Sequence, residues 1–214
     1  MKDIAIYGAG GFGREVACMI NKINSINSTW NLIGFFDDGK PIGNMVSHFG
    51  RILGNIDTVN NWKFPISIVL CIGNPNTMIK VRNNIVNPFI SFPNLIDPSF
   101  SVADPDSFVI GEGNIIKGNC SVTTDVHIGN FNILNGYVSI GHDVILGNYN
   151  SIMPGVRISG EVKIGNLNLL GADSFIKQQI IIGDSVTLSP LSALLTKPKN
   201  GGTYIGNPAK IFKY

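Results

Sequence analysis

Two groups of residues in this 214-residue chain have types and spacing that chemistry could use. His142 and Asp143 are adjacent in Ser139-Ile140-Gly141-His142-Asp143. An imidazole changes charge near neutral pH, so an exposed histidine beside a carboxylate can act as a general base. On spacing alone it can equally be a surface histidine. The second group is Gly8-x-Gly10-x-x-Gly13, set between the apolar run Ile4-Ala5-Ile6-Tyr7 and the helical stripe Val16, Met19, Ile20, Ile23. A glycine turn in that position bares backbone N–H groups at a positive helix end, where a phosphate can be held. Asp37 lies 24 residues past Gly13, close to where a ribose-binding acid would sit. The bland alternative is a tight turn without a ligand. Residues 1–96 make only half of a full dinucleotide fold, which predicts a mononucleotide rather than NAD.

These residues need a scaffold, and the strongest signal in the sequence describes one. From Ile110 to Leu194 an aliphatic residue recurs every six positions, fifteen times in fifteen slots and without insertion. A spacing of 18 is laid over it: Gly111, Gly129, Gly147, Gly165 and Gly183, and Asn114, Asn132, Asn150 and Asn168. Period six fits neither a helix nor an alternating strand. It predicts a triangular parallel β-helix in which three hexapeptides make one coil and the repeated aliphatic points inward. Glycine at a corner is expected to supply backbone angles closed to other residues. The recurring asparagines are expected to stack as amide ladders between coils. His142, two positions past the inward Ile140, is expected to face outward, whereas Cys120 falls in a small inward slot.

The first part of the chain alternates strands and helices, which predicts a parallel sheet. Strands are expected at 4–7, 32–36, 66–72 and 89–96, with a helix after the glycine turn and another from Pro75 to about Val86. A ligand would sit at the carboxyl ends of the strands, where Gly8–Gly13, Asp37-Asp38 and Gly73-Asn74 converge.

Composition narrows the class. A net charge of +2 gives no electrostatic reason to expect nucleic acid, and no apolar run reaches the ~20 residues of a membrane span. The start of the chain does not read as a signal peptide. Cys18, Cys71 and Cys120 are odd in number and far apart, which argues against a disulfide framework and for a reducing, cytoplasmic setting. No Cys/His cluster has metal-ligand spacing, so no metal is expected.

The hexapeptide repeat, the Gly-Ala-Gly-Gly-x-Gly-Arg-Glu-Val start, Leu95-Ile96-Asp97-Pro98-Ser99, the His142 segment and the ending Tyr204-Ile205-Gly206-Asn207-Pro208-Ala209-Lys210 together resemble one family. It is the sialic-acid O-acetyltransferase and nucleotide-amino-sugar N-acetyltransferase family (NeuD/PglD type) of hexapeptide-repeat acyltransferases. The resemblance spans essentially the whole chain. It implies a Rossmann-like nucleotide-sugar domain over 1–96 and a left-handed parallel β-helix over 97–214. The hand comes from the resemblance, since the period does not fix it. A homotrimer with acetyl-CoA between adjacent β-helices is also implied. His142 matches the family's base and Asp143 the acid that tunes it. Gly10, Gly11, Phe12, Asp37, Asp38 and Gly73 match the nucleotide-sugar site, and Ser151 and Ala172 the coenzyme contacts. Phe12 and Ser151 stand where the family commonly has histidine. The implied activity is acetyl transfer from acetyl-CoA to a nucleotide-linked 4-amino sugar, with O-acetylation of a sugar such as sialic acid, or a non-catalytic trimeric scaffold, as alternatives.

Overall fold

A computed structural model describes residues 1–212, so the last two residues of the predicted second domain, 213 and 214, lie outside the described residues. The chain divides into two compact units, Met1–Pro98 and Ser99–Tyr214.

In the first unit the strands β1 (Lys2–Tyr7), β2 (Trp30–Phe36), β3 (Ile52–Gly54), β4 (Ile66–Leu70) and β5 (Ile90–Ser91) form one sheet. Its order is β3-β2-β1-β4-β5, with every pairing parallel. That order reverses direction between β1 and β4, the point where such sheets open a crevice. Helices α1 (Gly11–Ile26), α2 (Ile56–Asn60) and α3 (Pro75–Asn84) supply the crossovers. The helix α1 buries Val16, Met19 and Ile20 of the predicted stripe, with Ala17 beside them, while Ile23 is half-buried; all of β4 is buried. One sequence expectation changes and two elements are added. The run 89–96 is not one strand: Pro93, which cannot donate to a ladder, separates β5 from a two-residue strand at Leu95–Ile96 that stays out of this sheet. Neither β3 nor α2 is visible in periodicity, because three and five residues are too short to show one.

The second unit is a parallel β-helix. Short strands stack on three faces at steps of 18 residues, except for a step of 20 from Ser101 to Ser121 and one of 16 from Thr187 to Thr203. On the first, Ser101, Ser121, Ser139, Arg157, Phe175 and Ala193 begin successive rungs. The second carries Val109, His127, Ile145, Lys163 and Ile181, and the third Ile115, Ile133, Ser151, Leu169, Thr187 and Thr203. Every predicted inward aliphatic from Ile116 to Leu194 is buried, and Cys120 is buried with them. Thr203–Ile205 pairs antiparallel with Lys210–Phe212 and closes the last face.

Each corner turns through one left-handed residue. Fourteen consecutive positions at period six, from Gly113 (φ 69°) to Leu191 (φ 57°), have positive φ. Only Gly113 and Gly155 among them are glycine; the others are Asn, Asp, Phe, Tyr, Glu, Leu, Gln or Ser, and none is β-branched. Branching at Cβ is what makes that region truly unfavourable. The recurrent glycines have a different duty from the one expected. A Cβ on Gly129 would lie 2.5 Å from the Gly147 carbonyl oxygen, so glycine lets neighbouring coils close up rather than supplying a special φ.

That corner also carries two amide ladders, not one. In the inner ladder, Asn132, Asn150 and Asn168 each donate both N–H and Nδ2 to the Oδ1 of the asparagine 18 residues earlier, at 2.8–3.1 Å. Each Nδ2 also donates to a glycine carbonyl of the next coil. The outer ladder, Asn130, Asn148, Asn166 and Asp184, runs the other way. Because the inner amides are fully buried, a gap in the ladder strands donors and acceptors without water. Asn150→Ala therefore should lower unfolding free energy by at least about 2 kcal/mol. Half-buried Asn135→Ala, which removes one peripheral hydrogen bond to the Ile152 carbonyl, should lower it by less than about 1 kcal/mol. Urea unfolding of both variants checks the contrast.

Candidate functional site

At the carboxyl end of β1 the chain enters the glycine turn under close steric control. Gly8 has φ 108°, and a Cβ there would lie 2.6 Å from the Cys71 carbonyl oxygen. A Cβ on Gly13 would collide with the Gly8 carbonyl oxygen. These two glycines are required by the protein itself. Gly10, Gly11 and Gly73 are different: a Cβ on Gly10 or Gly73 would meet nothing within 4 Å, and one on Gly11 would only graze the Arg14 guanidinium at 4.0 Å. Their bareness leaves open backbone facing the crevice. Gly10 caps α1 without a side-chain cap, and the first turn holds no acidic residue, so no side-chain carboxylate offsets the positive end of the helix. Phe12 sits in that first turn, half-buried.

Asp37 and Asp38, expected to meet the ligand, are tied to the protein. Asp37 Oδ2 accepts from the Ala9 N–H at 2.8 Å and Oδ1 from the Gly39 N–H at 2.9 Å. Asp38 accepts from the Tyr7 hydroxyl at 2.7 Å and from the Ile56 N–H at 3.0 Å. Burial, helped by the Asp38 carboxylate, pushes the Tyr7 phenol up, so it stays a donor. Burial likewise raises the Cys71 thiol and keeps it unreactive. A cavity of about 180 Å³ opens beside the glycine turn, lined by Gly10, Gly11, Arg14, Lys40, Met45 and Ser47 among others. Arg14 belongs to the Gly-Ala-Gly-Gly-x-Gly-Arg-Glu-Val start but carries no assigned role there, and Lys40 belongs to no motif. A larger cleft of about 500 Å³, bordered by Trp62 and Phe64, touches none of the predicted site residues.

In the β-helix, His142 and Asp143 occupy one corner, with Gly160-Glu161 and Gln178-Gln179 on the next two coils. Asp143 is itself the left-handed residue of its turn (φ 58°). That backbone turns its carboxylate back toward its neighbour, and Asp143 Oδ2 lies 2.8 Å from His142 Nδ1. Both side chains are about half exposed, at 50% and 57%. Since a carboxylate only accepts, the shared proton sits on Nδ1 and Nε2 keeps its lone pair. A Cβ on Gly160 would run into His142 Nε2 and its neighbouring ring carbons, so the imidazole lies across a bare stretch of the next coil. Glu161 is clamped by donation from Gln178 and Gln179, and those two hydrogen bonds hold its carboxyl below the usual range. Asp143, Glu161, Lys163 and Gln179 border a groove of about 340 Å³. This corner has no amide ladder, and the His142 and Gly160 N–H groups donate to nothing among the described residues.

Ser151 and Ala172 lie elsewhere on the β-helix. Ser151 is 2% exposed and Ala172 half-buried, so Ala172 is the more accessible of the two. No group of His, Cys, Asp or Glu among the described residues could hold a metal ion, and no described helix is long and apolar enough to cross a membrane.

Comparison with known proteins matches residues 3–88 to the PglD N-terminal domain family. No curated protein matches the chain. Among solved structures, the acetyltransferase domain of PglB from Neisseria gonorrhoeae is 26% identical, covering 99% of this chain and 100% of that one, with a TM-score of 0.89. The same domain in complex with acetyl coenzyme A gives a TM-score of 0.87 at 26% identity, covering 99% of each chain. WeeI from Acinetobacter baumannii shares the fold at 24% identity, with 99% and 100% coverage and a TM-score of 0.87.

The glycine turn yields a test of its own. Gly13→Ala should destabilise the first unit by more than about 2 kcal/mol through backbone collision, and Gly73→Ala should change it by less than about 0.5 kcal/mol. Thermal unfolding of the two variants checks the difference. The first unit thus matches the PglD N-terminal domain family, and the whole chain, with its parallel β-helix of hexapeptide repeats, shares the fold of the PglB acetyltransferase domain.

Proposed function

We propose that the protein transfers the acetyl group of acetyl-CoA to the amine of a nucleotide-linked 4-amino sugar. The observation that carries this reading is the His142 Nδ1 to Asp143 Oδ2 pair, 2.8 Å apart on a rigid corner with Nε2 left free. An ammonium cannot attack a thioester, so the acceptor reacts as the neutral amine, and a base must take the proton that its nitrogen still has to lose on becoming an amide. His142 Nε2 does this as the nitrogen lone pair attacks the acetyl carbonyl carbon, and Asp143 stabilises the imidazolium. The carbon–sulfur bond then breaks, the electrons leave with sulfur, and the imidazolium proton passes to the thiolate. Unpartnered corner N–H groups, with Gly160 the first candidate, support the oxyanion formed in between. Acetyl coenzyme A is bound by the PglB domain whose fold this chain shares, and coenzyme contacts are assigned to Ser151 and Ala172.

The PglD-type unit, residues 1–96, takes the nucleotide sugar. Gly10, Gly11, Phe12 and Gly73 form its binding loops, and Asp37 and Asp38 complete that site. Residues 97–214 carry the acyltransfer chemistry. A homotrimer is the working assembly; the second face of the β-helix exposes Val109, Ile145 and Ile181, alternating with the exposed His127 and Lys163. A cytoplasmic location fits three cysteines that are all free thiols.

His142→Ala should reduce turnover by roughly 10²–10⁴-fold, the usual worth of a positioned base, with acetyl-CoA affinity almost unchanged. Its corner rests on Ile140 and Val144, both buried, so truncation removes chemistry without loosening packing. His127→Ala, an exposed histidine on the preceding coil, should keep near-normal rates. Thiol release from acetyl-CoA, measured with a UDP-, dTDP- or GDP-linked 4-amino sugar, reads both. Retention of more than about a tenth of wild-type turnover by His142→Ala would remove the histidine from this role.

A further inference from the structure

The corner that carries His142 also holds a side-chain cluster to which the proposed reaction gives no part. Glu161 lies one coil beyond Asp143 and, like it, is the left-handed residue of its turn (φ 59°). Its carboxylate accepts from both glutamines of the following coil, from Gln178 Nε2 at 2.8 Å and from Gln179 Nε2 at 3.0 Å. Donation from Gln179 and Gln178 holds the carboxyl below its usual range, so it is an ionised acceptor at neutral pH. All three side chains are exposed, and water could satisfy each of them, so burial does not require the clamp. Glu161 and Gln179 border the same groove as Asp143.

The segment that the clamp fixes carries Gly160. The Glu161 N–H donates to the His142 carbonyl at 2.8 Å, and the Gly160 carbonyl accepts from the Gln179 N–H at 3.1 Å. Glu161 and its clamp partner Gln179 thus supply the backbone ties on either side of Gly160. The Gly160 N–H itself donates to nothing among the described residues. Gly141 keeps that group uncovered, since a Cβ there would lie 2.7 Å from the Gly160 nitrogen. On the other side the His142 ring occupies the place of a Gly160 Cβ. Glycine has the widest choice of backbone conformations, so a donor on it must be held by its surroundings. The buried ladder of Asn132, Asn150 and Asn168 does this at another corner and has no counterpart here.

Resting on the acetyl-transfer reading above, we infer that Glu161 is a positioning residue for that reaction: clamped by Gln178 and Gln179, it fixes the Gly160 N–H where the oxyanion forms beside His142. A donor stabilises developing charge only when it is already in place, and a misplacement of about 1 Å can cost roughly 10²-fold in rate. A carboxylate suits the task because both of its oxygens accept, one for each glutamine amide. Glu161 touches neither substrate nor reacting atoms; it acts through the backbone of its neighbour.

Steady-state thiol release by the full-length protein, with acetyl-CoA and the nucleotide-linked 4-amino sugar it uses best, tests this beside urea unfolding. Glu161→Ala should lower kcat by about 10- to 100-fold while KM for either substrate stays within about threefold of wild type. Glu161→Gln, which keeps one acceptor oxygen, should recover part of the loss. Replacing Gln178 and Gln179 together by alanine should reproduce the Glu161→Ala defect. The triple variant should be no slower than Glu161→Ala, as expected of groups that act as a unit. The urea midpoint of each variant should stay within about 0.3 M of wild type. Glu161→Ala with wild-type kcat, a loss confined to KM, a loss that follows a lowered urea midpoint, or a triple variant in which the losses multiply overturns the positioning role. Each of these leaves the acetyltransferase reading standing. A wild-type protein that releases no thiol with any acceptor overturns the positioning role together with that reading.

Discussion

Close stacking of identical coils is the constraint on which the β-helix depends. Each 18-residue coil must lie on the previous one without slipping, or every inward aliphatic would turn outward. Backbone hydrogen bonds alone do not prevent slip in strands of two residues. The register is pinned instead at one corner, where glycines let coils approach and buried asparagines bond both the next backbone and the next amide. An amide ladder is worth having only when it is complete, since a buried amide without a partner costs more than the bond it would have made.

That rigidity is what gives the His142 corner its chemistry. The laddered corner spends its N–H groups on side-chain oxygens, as where the Asn130 N–H donates to Asn148. The corner with His142 and Gly160 has no such side chain, and the N–H groups of these two residues donate to nothing among the described residues. The same left-handed geometry that turns every coil also swings the Asp143 carboxylate onto the imidazole. The pairing on which the proposed catalysis rests is a by-product of the turn that builds the scaffold, with glycine at 160 giving the ring room.

Much of this was legible in residue order because period six is enforced by packing at every coil, and packing selects side chains one by one. Ile140 and Leu146 announce the core, and the outward placement of His142 follows from them. The left-handed positions were also legible in principle, as fourteen successive slots that avoid β-branched residues, but avoidance is a weaker signal than recurrence. The glycine turn was visible for the same steric reason: Gly8 and Gly13 cannot be anything else. Asp37 illustrates what spacing cannot supply. Its position fits a ribose-binding acid, yet its oxygens face Ala9 and Gly39, a matter of loop conformation that no motif records. Arg14, Lys40, Met45 and Ser47 come together around one cavity only through the path of the chain after β2, so one-dimensional order leaves them scattered.

The account makes the β-helix corner a site for acyl transfer and the PglD-type unit a holder for its acceptor. Product analysis tests that most directly. The purified protein would be incubated with acetyl-CoA and a panel of UDP-, dTDP- and GDP-linked 4-amino sugars, with free sialic acid alongside, and the products resolved by tandem mass spectrometry. The account predicts one added acetyl group on the amine nitrogen of a nucleotide-linked sugar and none on sialic acid. An acetyl group found only on a hydroxyl of the free sugar, or no acetylated product from any acceptor in the panel, would contradict it.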